Sequence, residues 1–186
     1  FILGLVYNGV FKSGFADARY VSVLAQIGFA YFFTVLIVLF SDSQLKRLLW
    51  LIGILTGVAI LQLFVPIPGF GAGVLTPEGH INGYIDRMLL PGRLAYDDGT
   101  YDALGILSTI SSVGVTLMGF FAGTFLKTKK LTGVKKTSIL TFIGVCLVIL
   151  GILVSPLYPP IKKCWTSTFS LLAGGTSFML IALFYL

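Results

Sequence analysis

Along the chain, long apolar runs alternate with short polar connectors, and one connector is far longer than the rest. Val21 to Phe40, Leu48 to Val65, Ala103 to Leu126, Thr137 to Leu157 and Thr166 to Leu186 each supply about 18 or more mainly apolar residues, the length that crosses a hydrocarbon core as a helix. Phe1 to Phe11 is shorter, about 16 Å as a helix, and reads as the end of a longer helix or as an interfacial segment. The pattern predicts an all-α membrane protein: a polytopic helical bundle of five full transmembrane helices plus a partial first one, forming a single transmembrane domain over 1–186. Trp50, near the start of its run, fits an interfacial anchor.

Polar residues inside these runs need partners, because an unpaired amide in hydrocarbon is costly. Asn8 and Gln26 are read as interhelical hydrogen-bonders ahead of ligand contacts. In the Ala103 to Leu126 run a stripe of small residues recurs at helical spacing: Gly105, Ser108, Thr109, Ser112, Thr116, Gly119 and Gly123. Small residues let helix backbones approach, so this helix is expected at the centre of the bundle, with Gly119 and Gly123 as a GxxxG contact, and Gly174 and Gly175 in the last run again allow close packing. The same hydroxyls could line a polar passage.

Composition agrees with a membrane protein, at 56% hydrophobic residues, 11% charged residues and a mean hydropathy of +0.98. The formal charge of +6 does not point to nucleic acid, because the basic residues sit in the connectors. Ser41 to Arg47 and Lys127 to Lys136 hold seven of the 13 basic residues and one of the seven acidic ones, whereas Lys12 to Tyr20, Pro66 to Asp102 and Pro156 to Trp165 balance to zero. The positive-inside rule puts the first pair, including 127–136, in the cytoplasm and the other three outside, so 66–102 is an extracytoplasmic loop. Cys146 and Cys164 suggest neither a disulfide framework nor a metal site. No signal peptide, internal repeat or low-complexity segment stands out, and a chain opening on Phe1 reads as part of a longer product.

The long connector carries seven of the 20 charged residues, four of the seven prolines and the one histidine. Thr76 as N-cap and Pro77 at the first helical position predict a short helix from Pro77 to Leu90, stopped by Pro91. On a wheel, Ile81, Ile85, Met88 and Leu89 share one face and His80 and Arg87 the other, with Tyr84 between; the helix is expected to pack over the bundle as a lid or plug. Asp86 and Arg87 point apart, so each needs its own partner, and Arg87 suits a carboxylate or phosphate. His80 is read as a hydrogen-bonded or solvated imidazole ahead of a catalytic base. Asp97, Asp98 and Asp102 read as turn chemistry. No phosphate-binding loop, dinucleotide fingerprint, zinc motif or nucleophile elbow is present.

GYIDRMLL at Gly83 to Leu90, LTPEG at Leu75 to Gly79, YDALGILSTISS at Tyr101 to Ser112, GFFAG at Gly119 to Gly123 and RYVSVLAQIGFAYF at Arg19 to Phe32 together resemble the transmembrane heparan-alpha-glucosaminide N-acetyltransferase family in its bacterial form. The resemblance implies a bacterial inner-membrane enzyme that moves an acetyl group from cytosolic acetyl-CoA to an amino sugar or similar acceptor across the bilayer. It implies no metal. Its protein partners would be the remaining helices of the same protein and a homo-oligomer. The histidine to which the family's transfer is attributed lies upstream of the matched region, so no catalytic residue is expected here. His80 stands where relatives tend to have asparagine, Gln26 where they often have arginine, and Ala103-Leu104 where they have Pro-Glu.

On this reading the acceptor is bound by Arg87 as a fixed positive charge, by Asp86, Glu78 and Asn82 through its hydroxyls, and by Tyr84 through packing. The alternatives are a transporter or sugar-binding membrane module that kept the fold without acyl chemistry, and a structural membrane subunit.

Overall fold

The computed structural model describes residues 1–96, 99–129 and 131–185. Asp97 and Asp98, read above as turn residues, and Lys130 of the basic connector lie outside the described residues. The regular elements of the described chain are helices, in the order α1 (Ile2–Tyr7), α2 (Val10–Ser13), α3 (Val23–Phe40), α4 (Gln44–Phe64), α5 (Ile81–Leu89), α6 (Ile106–Leu126), α7 (Gly133–Val154) and α8 (Ser167–Tyr185), with a 3-10 turn at Lys162–Cys164. Five of these, α3, α4, α6, α7 and α8, are long and apolar enough to cross a membrane, as the hydrophobic pattern predicts.

Several boundaries follow from side chains that the backbone needs. Ser22 caps α3 by accepting the Ala25 N–H at 3.1 Å, and Ser43 caps α4 by accepting the Lys46 N–H at 3.2 Å. The first run is broken where a single helix end was expected. Gly9 takes a left-handed conformation, and the Asn8 side chain donates to the Arg19 and Val21 carbonyls at 2.8 Å each, which ties the break to the following connector.

The α6 helix is the axis of the bundle, and half of its most apolar 18-residue window is buried. Leu117, Met118 and Ala122 of α6 meet Ala30 of α3, Leu51 of α4, Leu140 of α7 and Phe178 and Ala182 of α8. Gln26 on α3 donates to the Ser108 carbonyl at 3.3 Å and Thr34 to the Val113 carbonyl at 3.5 Å, so both buried polar residues of α3 are spent on α6. The central place of α6 agrees with its small residues, but the contact made by its glycines does not. Gly119 and Gly123 are exposed and have open space beside them.

Close approach occurs between α7 and α8, at one of the glycines expected to allow it in the last span. A Cβ placed on Gly144 would lie 2.7 Å from the Gly175 carbonyl oxygen, and one on Gly175 would lie 2.7 Å from the Gly144 carbonyl. A side chain there meets backbone that cannot rotate away.

One substitution therefore has opposite effects on two helices. Gly144→Ala should cost about 1–3 kcal/mol through overpacking. Gly119→Ala should be neutral or stabilise by up to about 1 kcal/mol, as expected for alanine in an uncrowded helix. Thermal unfolding of the two variants in detergent micelles reads the difference.

Candidate functional site

Three of the connectors meet at one end of the bundle, and buried polar groups join them. Gln62, near the end of α4, donates to Asn82 Oδ1 at 2.8 Å and to the Cys164 carbonyl at 2.8 Å, and it accepts from the Tyr158 hydroxyl. Asn82 donates to the same Cys164 carbonyl at 3.0 Å and to Ser108 Oγ at 3.3 Å. Tyr158 in turn accepts the Ser167 N–H at 3.1 Å at the start of α8. Every side chain in this network is buried, so each bond is made where an unmet polar group would carry its full desolvation cost.

The α5 helix is shorter than expected: it begins at Ile81, with His80 as its N-cap in place of Thr76. The His80 ring accepts the Gly83 N–H on Nδ1 at 3.0 Å and lies edge-on to Tyr101, with centroids 4.9 Å apart. Residues 76–79 form a turn because the helix starts only where the imidazole supplies the cap. Ile81 packs with Val58, Ile67 and Leu107, while Met88 and Leu89 are exposed and leave the apolar face assigned to them. Gly83 admits the neighbouring segment: a Cβ there would be 2.9 Å from Tyr101 Cβ and 3.1 Å from the Thr100 carbonyl.

Asp86 and Arg87 have separate partners, as their directions on the helix require. The α6 helix starts at Gly105, which has no side chain to cap it, and the Asp86 carboxylate reaches over from α5 to accept the Ile106 N–H at 3.0 Å. A Cβ at 105 would collide with that carboxylate, so glycine is needed at this contact. Burial pushes the Asp86 carboxyl up to about 6, against the opposing effect of the Ile106 hydrogen bond. Burial, with Arg87 nearby, lowers the His80 imidazole to about 4, so it is neutral at pH 7. Arg87 is exposed and donates to the Thr100 carbonyl.

The strongest electrostatic contact joins two segments far apart in sequence. Arg19 forms a two-pronged pair with Asp102, Nε and Nη2 each 2.7 Å from a carboxylate oxygen. Asp102 is fully buried and also accepts the Ala95 N–H at 3.2 Å and the Leu104 N–H at 3.0 Å. Beside this clamp a short antiparallel bridge pairs Arg19 with Gly92, and the Arg93 N–H donates to the Ala18 carbonyl at 3.2 Å. Gly92 has φ of 75°, and a Cβ there would strike the Ala18 carbonyl.

Next to the bridge opens a polar cavity of about 490 Å³ lined by Asn8, Arg19, Arg93, Leu94, Ala95 and Gly99. This volume lies within the range of small-molecule sites. The residues expected to bind an acceptor do not converge on it. Asn82 and Asp86 are fully buried and engaged in structure, Tyr84 packs against the apolar cluster, and Glu78 and Arg87 are exposed elsewhere on the loop. Sequence reasoning missed Arg19, Arg93 and the Gln62 network. Gln62 carried the signal that singled out Gln26, an amide inside an apolar run. The Arg19 pairing spans 83 residues and has no local signature.

At the opposite end a cavity of about 340 Å³ is lined by Phe40, Ser41, Lys46, Leu49 and Trp50, and Lys46, its one basic residue, pairs with Asp42 at 2.9 Å. No group of three or more metal-ligating side chains occurs among the described residues. Compared with protein-family models and with curated proteins, the chain finds no match.

Two outcomes follow. Removing the arginine alone, as in Arg19→Gln, should cost about 3–5 kcal/mol because it leaves the Asp102 charge buried without a partner, and adding Asp102→Asn should recover part of that loss in thermal unfolding. The pH dependence tests α5. Between about pH 4 and 6 the folded state holds the Asp86 proton more tightly than the unfolded state, so this group loses stabilising effect as pH rises. Folded His80 holds its proton less tightly over pH 4 to 6.5, so its contribution grows with pH. The slopes oppose each other in the native protein. Asp86→Asn should leave stability rising over this window and His80→Gln should leave it falling, each by on the order of 2 kcal/mol, as read from thermal midpoints across the pH range.

Proposed function

We propose that this chain is the acceptor-side part of a bacterial inner-membrane acyltransferase, with the polar cavity beside the Arg19–Asp102 clamp taking an amino sugar or similar polar acceptor. The observation that carries the reading is that cavity, walled by an arginine that a buried carboxylate holds in place. A fixed guanidinium can orient a polar ligand without first being ordered by it. The motif resemblance supports the reading from the sequence side, since Asp86 of YIDR and Asp102 of YDALG build this end of the bundle. On this reading the cavity faces outward and the lysine-rich connector faces the cytoplasm, in keeping with the distribution of basic residues.

A transport pathway along α6 has less support. The Ser111, Ser112 and Thr116 hydroxyls each donate to a carbonyl of their own helix, at 3.1, 2.6 and 2.9 Å, so they are already satisfied without a polar passage.

The test uses the full-length protein in vesicles loaded with acetyl-CoA, with glucosamine outside and N-acetylated product measured. Arg93→Ala should lower kcat/KM by about tenfold or more, while Arg87→Ala should leave turnover unchanged because that side chain is bonded away from the cavity. Absence of product with the unsubstituted protein removes the acyltransferase reading, and equal turnover by Arg93→Ala removes the cavity from it.

A further inference from the structure

A second cavity lies across the Arg19–Gly92 bridge from the polar one, and its chemistry is the opposite. It is an apolar groove of about 480 Å³ between α3 and α6, whose walls include Phe1, Ala25, Phe29, Phe33, Leu90 and Ile110. The two cavities share the bridged ribbon as a common wall. Tyr20, Val21, Leu90 and Pro91 face the groove, while Arg19, Arg93 and Leu94 face the polar side.

The groove starts at the N-terminal ends of α3 and α6, where the chain enters the apolar region, and follows α3 from Ala25 to Phe33. That length is about 12 Å of helix rise, so the groove descends from the interface well into one leaflet. A cleft lined by carbon in that position excludes water and takes hydrocarbon. The single buried amide in its wall, Gln26, is already bonded to the Ser108 carbonyl at 3.3 Å. A water-soluble sugar gains nothing from such a surface.

The polar side offers positive charge. Arg93 is exposed and makes no ion pair or side-chain hydrogen bond among the described residues, and Arg19 keeps Nη1 outside its pair with Asp102. Guanidinium groups at the bilayer surface suit a phosphate, which accepts from two N–H groups at once. Asn8 offers a phosphate no donor, because both hydrogens of its Nδ2 are used on the Arg19 and Val21 carbonyls.

We propose that the two cavities together hold one amphiphile, with its hydrocarbon chain in the groove and a phosphate-bearing head over the ribbon against Arg93. The inference rests on reading the polar cavity as the acceptor site and narrows the acceptor's class: it is anchored in the membrane and reaches the site from the bilayer, not from water.

The experiment places a reporter in the groove with Phe29→Trp, reads its fluorescence above that of the parent protein, and uses phosphatidylcholine nanodiscs doped with chain-brominated quenching lipids. Brominated phosphatidic acid should quench at on the order of tenfold lower mole fraction than brominated diacylglycerol, which lacks the phosphate. Arg93→Gln, at an exposed position where folding is not at stake, should bring the two lipids to within about twofold of each other. Ala25→Phe, which fills the groove, should abolish quenching by both, with circular dichroism confirming helix content.

Equal quenching by the two lipids, or a preference that survives Arg93→Gln, overturns the proposal. Inorganic phosphate distinguishes the source of the head group: if it erases the preference, the cavity binds free phosphate and the amphiphile reading fails. Acetyl transfer measured on the same protein, to free glucosamine and to a glucosamine-bearing phospholipid in the bilayer, separates the two readings. Transfer without lipid preference sinks only the amphiphile, and lipid preference without transfer to either acceptor sinks only the acyl chemistry.

Discussion

The fold depends on a requirement set by the membrane: polar groups at the ends of apolar helices must be satisfied from within the protein. The clearest case is the start of α6. Its first turn has a glycine where a capping side chain would stand, and the cap comes from a carboxylate on another helix. Because α6 touches nearly every other span, fixing its end with Asp86 also fixes α5 against the bundle. Asn82, one turn earlier on α5, repeats the device by bonding groups from α6 and from the connector before α8. The short helix is fastened from both ends, which makes it a plug and not a hinged cover.

The Arg19–Asp102 clamp applies the same logic to the loops. A buried ion pair brings little net stability, since both charges give up water, but it demands one geometry. Here that geometry holds the connector before α3 against the segment before α6 and leaves Arg93 and the polar cavity at the junction. The chemistry available to a ligand is thus a by-product of how this end of the bundle is tied together. The residues that looked reactive in the sequence are largely the ties.

Much of the architecture was legible without coordinates, because span length and the absence of charge are one-dimensional signals that the bilayer makes decisive. The five long helices follow from them, and the central place of α6 follows from its small residues. The close packing expected at Gly174 and Gly175 is present, whereas the GxxxG of α6 makes no contact, because only relative rotation decides which glycines face a neighbour. The site was less legible. Asp86 and Asn82 are polar and sit in the one long loop, so they resemble ligand-binding residues until their burial is known. Arg19 and Asp102 sit in separate connectors, and nothing local in either segment announces the other.

The α7–α8 hairpin has a consequence for how the protein is made. These two helices touch chiefly each other, backbone against backbone at Gly144 and Gly175, and their turn carries the Tyr158 hydroxyl that later bonds Gln62 and the Ser167 N–H. Such a pair can enter the bilayer already assembled and dock afterwards on α6 and α4, its polar latch closing last. Biogenesis would then proceed in two stages, with the late-synthesised hairpin locking an earlier helical assembly already tied at one end by Arg19 and Asp86.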